Sequence, residues 1–198
     1  MFITLEGIDG SGKTTQIATL AKRLRAQGYD VVLTREPGGT AVGERLRAVL
    51  LESADMQPPT ELLLMFAARL ENLAQIVLPA IAAGKIVLCD RYLDATYAYQ
   101  GFGRRLPLPL IDELTRSLGI PQPDLTLLLD LPPETALARR SDRRIDRIEA
   151  ADPAFFTRVR QGYLARAEAA PGRIVVIDGA RAFHYVEEAL VHAVLARL

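Results

Sequence analysis

Apolar residues along the chain alternate between short continuous runs and longer stretches with helical spacing. The short runs, rich in β-branched residues and leucine, are Phe2–Glu6, Asp30–Thr34, Ile86–Cys89, Leu125–Asp130 and Ile174–Ile177. A continuous run is typical of a strand that is covered on both faces, and alternation of such strands with helices is typical of a parallel sheet. The pattern therefore predicts an α/β fold of three layers, with a five-stranded parallel sheet flanked by helices.

Seven stretches with an apolar residue at every third or fourth position predict the helices. They are Lys13–Gly28, Ala41–Leu51, Thr60–Ala83, Pro109–Leu118, Pro133–Arg140, Pro153–Ala169 and Ala182–Arg197. Gly28 is a typical C-terminal stop, whereas Pro79 leaves the end of the third helix open because proline removes a helix hydrogen bond. No repeat or low-complexity block divides the sequence, so we expect one domain over residues 1–198.

Charge along the chain is balanced, with 24 lysine and arginine residues against 24 aspartate and glutamate residues. General nucleic-acid binders and proteins held on anionic membranes usually carry a basic excess, so we expect neither kind of partner. The N-terminal residues lack the pattern of a secretory leader, and the uncharged stretch Leu73–Gly84 is too short to span a bilayer. The single cysteine, Cys89, fits a reducing compartment. We therefore expect a cytoplasmic protein.

One glycine-rich segment matches a phosphate-binding pattern. Gly7-Ile8-Asp9-Gly10-Ser11-Gly12-Lys13-Thr14 fits G-x-x-x-x-G-K-[ST] and lies between a predicted strand and a predicted helix. In such a loop the backbone N–H groups point inward, and the start of the helix adds positive potential, so that phosphate oxygens are bound. We expect Lys13 to contact the β- and γ-phosphates and Thr14 to ligate Mg²⁺. The alternative is a glycine turn with a chance lysine.

The phosphate-binding pattern alone leaves three classes open: a motor ATPase, a GTPase and a small-molecule kinase. The guanine-reading element N-K-x-D does not occur in the sequence, and the chain is short for added motor modules. These two observations favour a kinase.

Two further segments follow predicted strands, at the edge where parallel sheets bind ligands. Asp90 and Arg91 follow the third strand, and Thr34–Thr40 follows the second. Asp90 is placed to serve Mg²⁺ directly or through water, and the planar fork of Arg91 suits a phosphate. The alternatives are a structural ion pair for the first segment and a plain surface turn for the second.

Six blocks extend from one end of the chain to the other. They are Phe2–Gln16, Thr34–Thr40, Asp90–Tyr92, Ala98–Gly101, Pro123–Leu127 and Asp146–Glu149. Their order and spacing resemble those of bacterial thymidylate kinases, and the elements T-R-E-P-G-G-T and D-R-Y separate that family from adenylate, guanylate and shikimate kinases. The resemblance implies a P-loop nucleoside monophosphate kinase fold. It also implies transfer of the γ-phosphoryl group of ATP to dTMP, with Mg²⁺, to give dTDP for dTTP synthesis, and it implies a homodimer.

The resemblance also implies roles at matching positions. The ATP phosphates are bound by Gly7, Ile8, Asp9, Gly10, Ser11, Gly12, Lys13, Thr14 and Thr15, the metal by Thr14 and Asp90, and the catalytic residues include Lys13, Asp9 and Arg91. The dTMP site comprises Glu36, Arg47, Met65, Phe66, Arg69, Arg91, Thr96, Tyr99 and Gln100. The family commonly has an aromatic residue four positions before the arginine that matches Arg69. Met65 occupies that position here and Phe66 follows it, so the side chain that stacks on thymine stays open.

Arginines crowd the segment from residue 139 to residue 152, with acidic residues between them. Alternating charges are also typical of a solvated face. The resemblance implies that this segment is a lid over ATP, where positive charge stabilises the transferring phosphoryl group. The resemblance implies that a catalytic arginine lies either in the phosphate loop or in the lid. Because the phosphate loop contains no arginine, we expect the lid to supply this residue. The candidates are Arg140, Arg143, Arg144 and Arg147, and we favour Arg143 as the catalytic one.

Two other functions remain to be weighed against dTMP phosphorylation. The chain could be a kinase for another nucleoside monophosphate or for a deoxynucleoside, or a nucleotide-dependent switch that binds a protein. The three arginines Arg47, Arg69 and Arg91 argue against a switch, because a switch needs no second anion site.

Overall fold

The structure is a computed structural model that describes residues 1–53, 55–139, 147–148 and 152–198. Its five strands form one parallel sheet in the order β2-β3-β1-β4-β5. The strands are β1 Phe2–Glu6, β2 Val31–Arg35, β3 Ile86–Asp90, β4 Leu125–Asp130 and β5 Ile174–Asp178. The predicted five-stranded parallel sheet is therefore confirmed, and every strand boundary falls within one residue of its predicted position.

Helices cover both faces of the sheet. They are α1 Lys13–Ala26, α2 Ala41–Glu52, α3 Pro58–Asn72, α4 Leu78–Ala82, α5 Leu93–Thr96, α6 Leu108–Ser117, α7 Pro133–Ala138, α8 Pro153–Ala169 and α9 Phe183–Leu195, with π-helical segments at Leu73–Val77 and Tyr97–Gly103. All seven predicted helices are present in the structure. The structure adds α5 and the second π segment, which the spacing of apolar residues did not predict.

The third predicted helix continues through Pro79 instead of ending there. The N–H of Leu78 bonds to the carbonyl of Leu73, five residues earlier, which widens the turn just before the proline. The resulting helix, Pro58–Ala82, is long and apolar enough to cross a membrane by length and composition alone, although part of it is buried in the protein. Its buried polar residues Arg69 and Asn72 contact other parts of this domain, so it is a core helix of the fold.

Apolar cores lie on each side of the sheet. On one side, Ile3 and Leu5 of β1 pack with Leu20 of α1 and Leu190 of α9. On the other side, strand residues pack against the long helix and the chain that follows β3. Cys89 belongs to this second core, and burial raises the pKa of its thiol. The sheet is thus the middle of three layers.

The carboxyl ends of β2, β3 and β1 lie side by side. In the sheet register, Asp90 at the end of β3 is paired with Leu5 of β1 on one side and with Arg35 of β2 on the other. The loops that follow these three strands therefore open on the same edge, where the candidate site lies.

Candidate functional site

The phosphate loop connects β1 to α1, and its backbone requires glycine at defined points. Gly10 and Gly12 have φ angles of 89° and 90°, in the left-handed region. A Cβ at Gly10 would lie 2.2 Å from the carbonyl oxygen of Ala136, a contact that no side chain tolerates. Close approach to α7 and backbone conformation together explain why this loop is built from glycine.

Lys13 lies inside the loop at the start of α1. Its Nζ donates to the carbonyl oxygens of Gly7 and Ile8, both at 3.0 Å, and its side chain is buried. Burial, together with the nearby positive charge of Arg91, lowers the pKa of Lys13 to about 8. The amine therefore lies where a bound phosphate would stabilise its charged form electrostatically.

Two oxygen-bearing side chains at the mouth of the loop fit a hard divalent cation. Thr14 donates its hydroxyl to Oδ2 of Asp90 at 3.2 Å, while Oδ1 of Asp90 is buried and has no hydrogen-bond partner among the described residues. Within the same residues, no group of three or more His, Cys, Asp or Glu side chains could hold a metal by itself. This arrangement fits Mg²⁺, which prefers a few protein oxygens together with water and substrate phosphates.

Arg91 is the centre of a partly buried hydrogen-bond network. Its guanidinium donates to Asp9 at 2.6 Å, to the carbonyl of Gly7 at 2.9 Å, and to the hydroxyls of Tyr99 and Tyr163 at 3.0 Å each. Tyr99 in turn donates to the second oxygen of Asp9 at 2.9 Å. The planar fork is thereby fixed between the phosphate loop and the residues that follow β3.

The backbone at Arg91 is held in an unusual conformation, with φ of 68°. Glu6, at the end of β1, accepts the N–H of the next residue, Tyr92, at 2.7 Å and the hydroxyl of Tyr163 at 2.9 Å. These contacts lie directly beside the guanidinium and hold the left-handed turn in place.

The two carboxylates of this network differ in acidity. Burial alone would raise the pKa of Asp9, but the charges of Arg91 and Lys13 outweigh it and hold the pKa well below its usual value. Burial, reinforced by the negative charge of Asp94, raises the pKa of Glu6 to about 7. Asp9 is thus a permanent anion that orients Arg91, whereas Glu6 lies close to its titration point at neutral pH.

Glu36 and Arg69 form a fully buried ion pair. Arg69 donates Nε to Glu36 at 2.8 Å and Nη2 to the hydroxyl of Thr96 at 2.9 Å, and its guanidinium lies over the rings of Phe66 and Tyr92. Burial raises the pKa of Glu36 to about 7, although the charge of Arg69 opposes the shift. The second oxygen of Glu36 has no partner in the part of the chain that the structure describes.

Two neighbouring clefts share one wall. The first has a volume of about 500 Å³ including space open to solvent, and the second lies over the phosphate loop. The side chains common to both are Asp9, Glu36, Arg47 and Arg91. A group bound in one cleft would therefore meet a group bound in the other at this shared wall.

The structure separates the residues predicted for dTMP into two groups. The residues that line the first cleft are Glu36, Arg47, Met65, Arg91, Tyr99 and Gln100. The remaining three, Phe66, Arg69 and Thr96, lie behind Glu36 in the core. Met65 therefore faces the cleft, whereas the ring of Phe66 packs against the guanidinium of Arg69.

Gln100, which lines the first cleft, belongs to a second polar cluster. Its Nε2 donates to Oε1 of Glu61 at 2.7 Å. The other oxygen of Glu61 meets Arg104 at 3.2 Å and Arg147 at 2.7 Å. Arg147, which the sequence groups with the lid arginines, is thus engaged beside the first cleft, and it also donates to the carbonyl of Leu50. The predicted residues Arg140, Arg143 and Arg144 lie outside the described residues.

Sequence reasoning missed three buried side chains of the site, Glu6, Glu61 and Tyr163. Glu6 could have been found, because it is a carboxylate at the carboxyl end of a strand, which is the signal that identified Asp90. Glu61 in the first turn of a helix is explained equally well by the helix dipole, and Tyr163 carries no local signal on its helix. Their positions depend on contacts between distant segments.

Comparisons with known proteins agree along almost the whole chain. A family profile described as thymidylate kinase matches residues 5–190. A thymidylate kinase of Pseudomonas fluorescens (strain Pf0-1) is 54% identical over 194 residues, covering 96% of this chain and 92% of the relative. One from Pseudomonas putida (strain W619) is 53% identical, covering 96% and 94%. The crystal structure of thymidylate kinase from Ehrlichia chaffeensis is similar with a TM-score of 0.81 and 37% identity, covering 98% of each chain.

Proposed function

Since the chain belongs to the thymidylate kinase family, it phosphorylates dTMP to dTDP with ATP, and we propose that each of its two clefts binds one of the two substrates. The ATP phosphates bind over the phosphate loop, and dTMP binds in the first cleft. The observation that carries this assignment is the shared wall of Asp9, Glu36, Arg47 and Arg91. In this proposal the two phosphates lie beside each other, with the positive charges of Arg47 and Arg91 next to them.

In the proposed mechanism, an oxygen of the dTMP phosphate attacks the γ-phosphorus of ATP, and the bond from that phosphorus to the β–γ bridging oxygen breaks. The attacking oxygen is already anionic at neutral pH, so no strong base is required. Lys13 and the loop N–H groups stabilise charge on the β- and γ-phosphates, and Arg91 holds the acceptor phosphate against them. Asp9 keeps the fork of Arg91 in the orientation that it has in the structure.

We propose that Mg²⁺ accompanies the ATP, held by Thr14 and Asp90. When bound, it neutralises phosphate charge in the transition state. Support comes from the oxygen donors on these two side chains and from the unpartnered Oδ1 of Asp90. The hydroxyl and carboxylate also fix the start of α1 against the end of β3.

We further propose a single kinase domain over residues 1–198, with a lid at about residues 139–152. Arg143 supplies positive charge to the transferring group, and Arg140 and Arg144 are the alternatives. Support comes from the family resemblance and from the phosphate loop, which contains no arginine. Arg147 has a different role in this proposal, because Glu61 already binds it beside the dTMP cleft.

The family resemblance also supports a soluble cytoplasmic enzyme that acts as a homodimer, and these are likewise proposals. ATP and dTMP are its partners. The balanced charge of the chain favours neither nucleic acid nor an anionic membrane as a further partner.

The proposal is tested by measuring ADP release with dTMP, dUMP, dCMP and dGMP as acceptors. We expect the highest kcat/KM with dTMP. A higher kcat/KM with another nucleoside monophosphate would reassign the acceptor. ATP hydrolysis that no nucleoside monophosphate stimulates would replace the kinase with a nucleotide-dependent switch.

A further inference from the structure

The carboxamide of Gln100 has its nitrogen paired and its oxygen unpaired. The side chain is buried, it lines the first cleft, and its Nε2 donates to Glu61 at 2.7 Å. Its Oε1 has no hydrogen-bond partner among the described residues. A buried amide oxygen without a partner, next to a cleft, is a vacant acceptor for a ligand.

Glu61 determines this orientation because it can only accept hydrogen bonds while it is ionised. Burial would raise its pKa, but the hydrogen bond from Gln100, the charge of Arg104 and the hydrogen bond from Arg147 outweigh burial and keep the pKa below its usual value. Were the carboxamide rotated by half a turn, two oxygens would face each other. The amide nitrogen must therefore point towards Glu61 and the amide oxygen away from it.

We propose that Glu61 is a positioning residue for base selectivity, which acts by turning the amide oxygen of Gln100 towards the base in the first cleft. This inference rests on the proposed function, in which that cleft binds the acceptor nucleotide. Thymine and uracil carry an N–H at ring position 3, which donates to an amide oxygen. Cytosine carries an unprotonated nitrogen at that position, so its lone pair would meet the oxygen of Gln100. The Glu61–Gln100 pair thus favours 4-oxo pyrimidines over cytosine.

Arg104 and Arg147 complete the device by keeping Glu61 charged. Arg104 reaches Glu61 from the chain just beyond the second π segment, with Nη2 at 3.2 Å, while Arg147 reaches it at 2.7 Å. Two cations on one carboxylate make the pairing redundant, so that loss of one still leaves the carboxylate ionised.

The experiment compares kcat/KM for dTMP and dCMP in the wild type and in Glu61→Gln. A glutamine at position 61 can donate as well as accept, which allows the carboxamide of Gln100 to rotate. We expect the dTMP-to-dCMP ratio of kcat/KM to fall by about tenfold or more. An equal fall with both acceptors, which leaves the ratio unchanged, would overturn the proposal, because a merely structural role affects both substrates alike.

Two controls keep the outcome unambiguous. Arg104→Met removes one partner of Glu61 but leaves Arg147, so the ratio should stay at the wild-type value. In a Gln100→Ala background, Glu61→Gln should leave the ratio unchanged, because its effect is transmitted through Gln100.

Glu61→Gln leaves Arg104 and Arg147 without their carboxylate partner, so the experiment includes a second variant for the case in which the first does not fold. Should Glu61→Gln not fold, the double change Glu61→Gln with Arg104→Met removes one of the two partly buried arginine charges that lose their carboxylate partner, and it carries the same measurement. A wild-type enzyme that does not phosphorylate dTMP would refute the proposed function. A wild-type enzyme that does so, with an unchanged ratio in the variants, would refute only the role of Glu61.

Discussion

Lys13 illustrates how burial prepares a cation for phosphate at the scale of one residue. Burial and the charge of Arg91 lower its pKa to about 8 in the free protein, and the negative phosphates of ATP favour the charged amine and so raise that pKa. ATP binding at pH 8 should therefore take up about half a proton per site. Affinity for ATP should be highest below pH 8 and should fall as the pH rises above 8. Calorimetric titration in buffers of different ionisation enthalpy measures the proton uptake.

Lys13→Met provides the matched control for this titration, because it removes the titrating amine but keeps a long side chain. Proton uptake at pH 8 should then disappear, together with most of the affinity. A wild-type binding enthalpy that does not depend on the buffer would contradict the expected uptake.

A second residue-scale prediction concerns the charge supplied by the lid. Arg143→Ala should lower kcat by about 10³-fold, with much smaller changes in KM for ATP and dTMP, because the lost charge acts on the transferring group. Steady-state kinetics with each substrate varied measure the effect. Arg140→Ala and Arg144→Ala are the comparison variants, and an unchanged kcat in Arg143→Ala would eliminate this residue as the catalytic arginine.

At the scale of elements, α8 packs closely against the second π segment. Gly162 of α8 lies where a Cβ would be 2.9 Å from the Cα of Ala98 and 2.9 Å from the Cβ of Phe102. Gly162→Ala should therefore lower the free energy of unfolding by about 1–3 kcal/mol. It should also lower kcat, because the next residue, Tyr163, binds Arg91 and Glu6. Urea unfolding and steady-state kinetics measure the two effects.

The matched control is Gly172→Ala, since a Cβ at Gly172 would meet nothing within 4 Å. We expect its free energy of unfolding to stay within about 0.5 kcal/mol of the wild type. Equal stability of the two variants would show that α8 can move away from the π segment.

Sequence patterns predict the elements that show local periodicity, and they miss the elements that depend on contacts with other parts of the fold. The strands were predicted because burial on both faces makes them continuously apolar. The second π segment was missed because nearly all of its residues are buried, which leaves no alternation between faces. Pro79 perturbs its helix, as proline chemistry predicts. The wider turn before Pro79 lets the helix continue, and this turn depends on hydrogen bonding that the sequence does not display.

The same distinction applies to the site. Lys13, Asp90 and Arg91 lie in motifs or at strand ends, so their positions could be predicted from chain order alone. The role of Glu61 could not, because it arises from contacts with Gln100, Arg104 and Arg147 that the fold brings together from distant parts of the sequence.

At the scale of the whole molecule, a net charge of zero conceals a local concentration of charged residues of both signs at the two clefts. The cations Lys13, Arg47 and Arg91 line the clefts together with the acidic residues Asp9, Glu36 and Asp90. Cations gathered in a cleft suit small phosphate anions even though the chain as a whole is neutral.

The whole-molecule prediction concerns self-association. Val42 and Val49 of α2, and Leu63 and Leu70 of α3, are exposed, and each pair is separated by seven residues and so shares a helix face. Because the resemblance implies a homodimer, we expect these two neighbouring faces to be covered in it.

Leu63→Glu should raise the dimer dissociation constant at least about tenfold, since a charge would be buried at the interface. Sedimentation velocity over a concentration series measures it, with Leu195→Glu, at an exposed leucine of α9, as the control that should leave association unchanged. A wild type that stays monomeric would refute the dimer, and equal dissociation constants for wild type and Leu63→Glu would place its interface elsewhere.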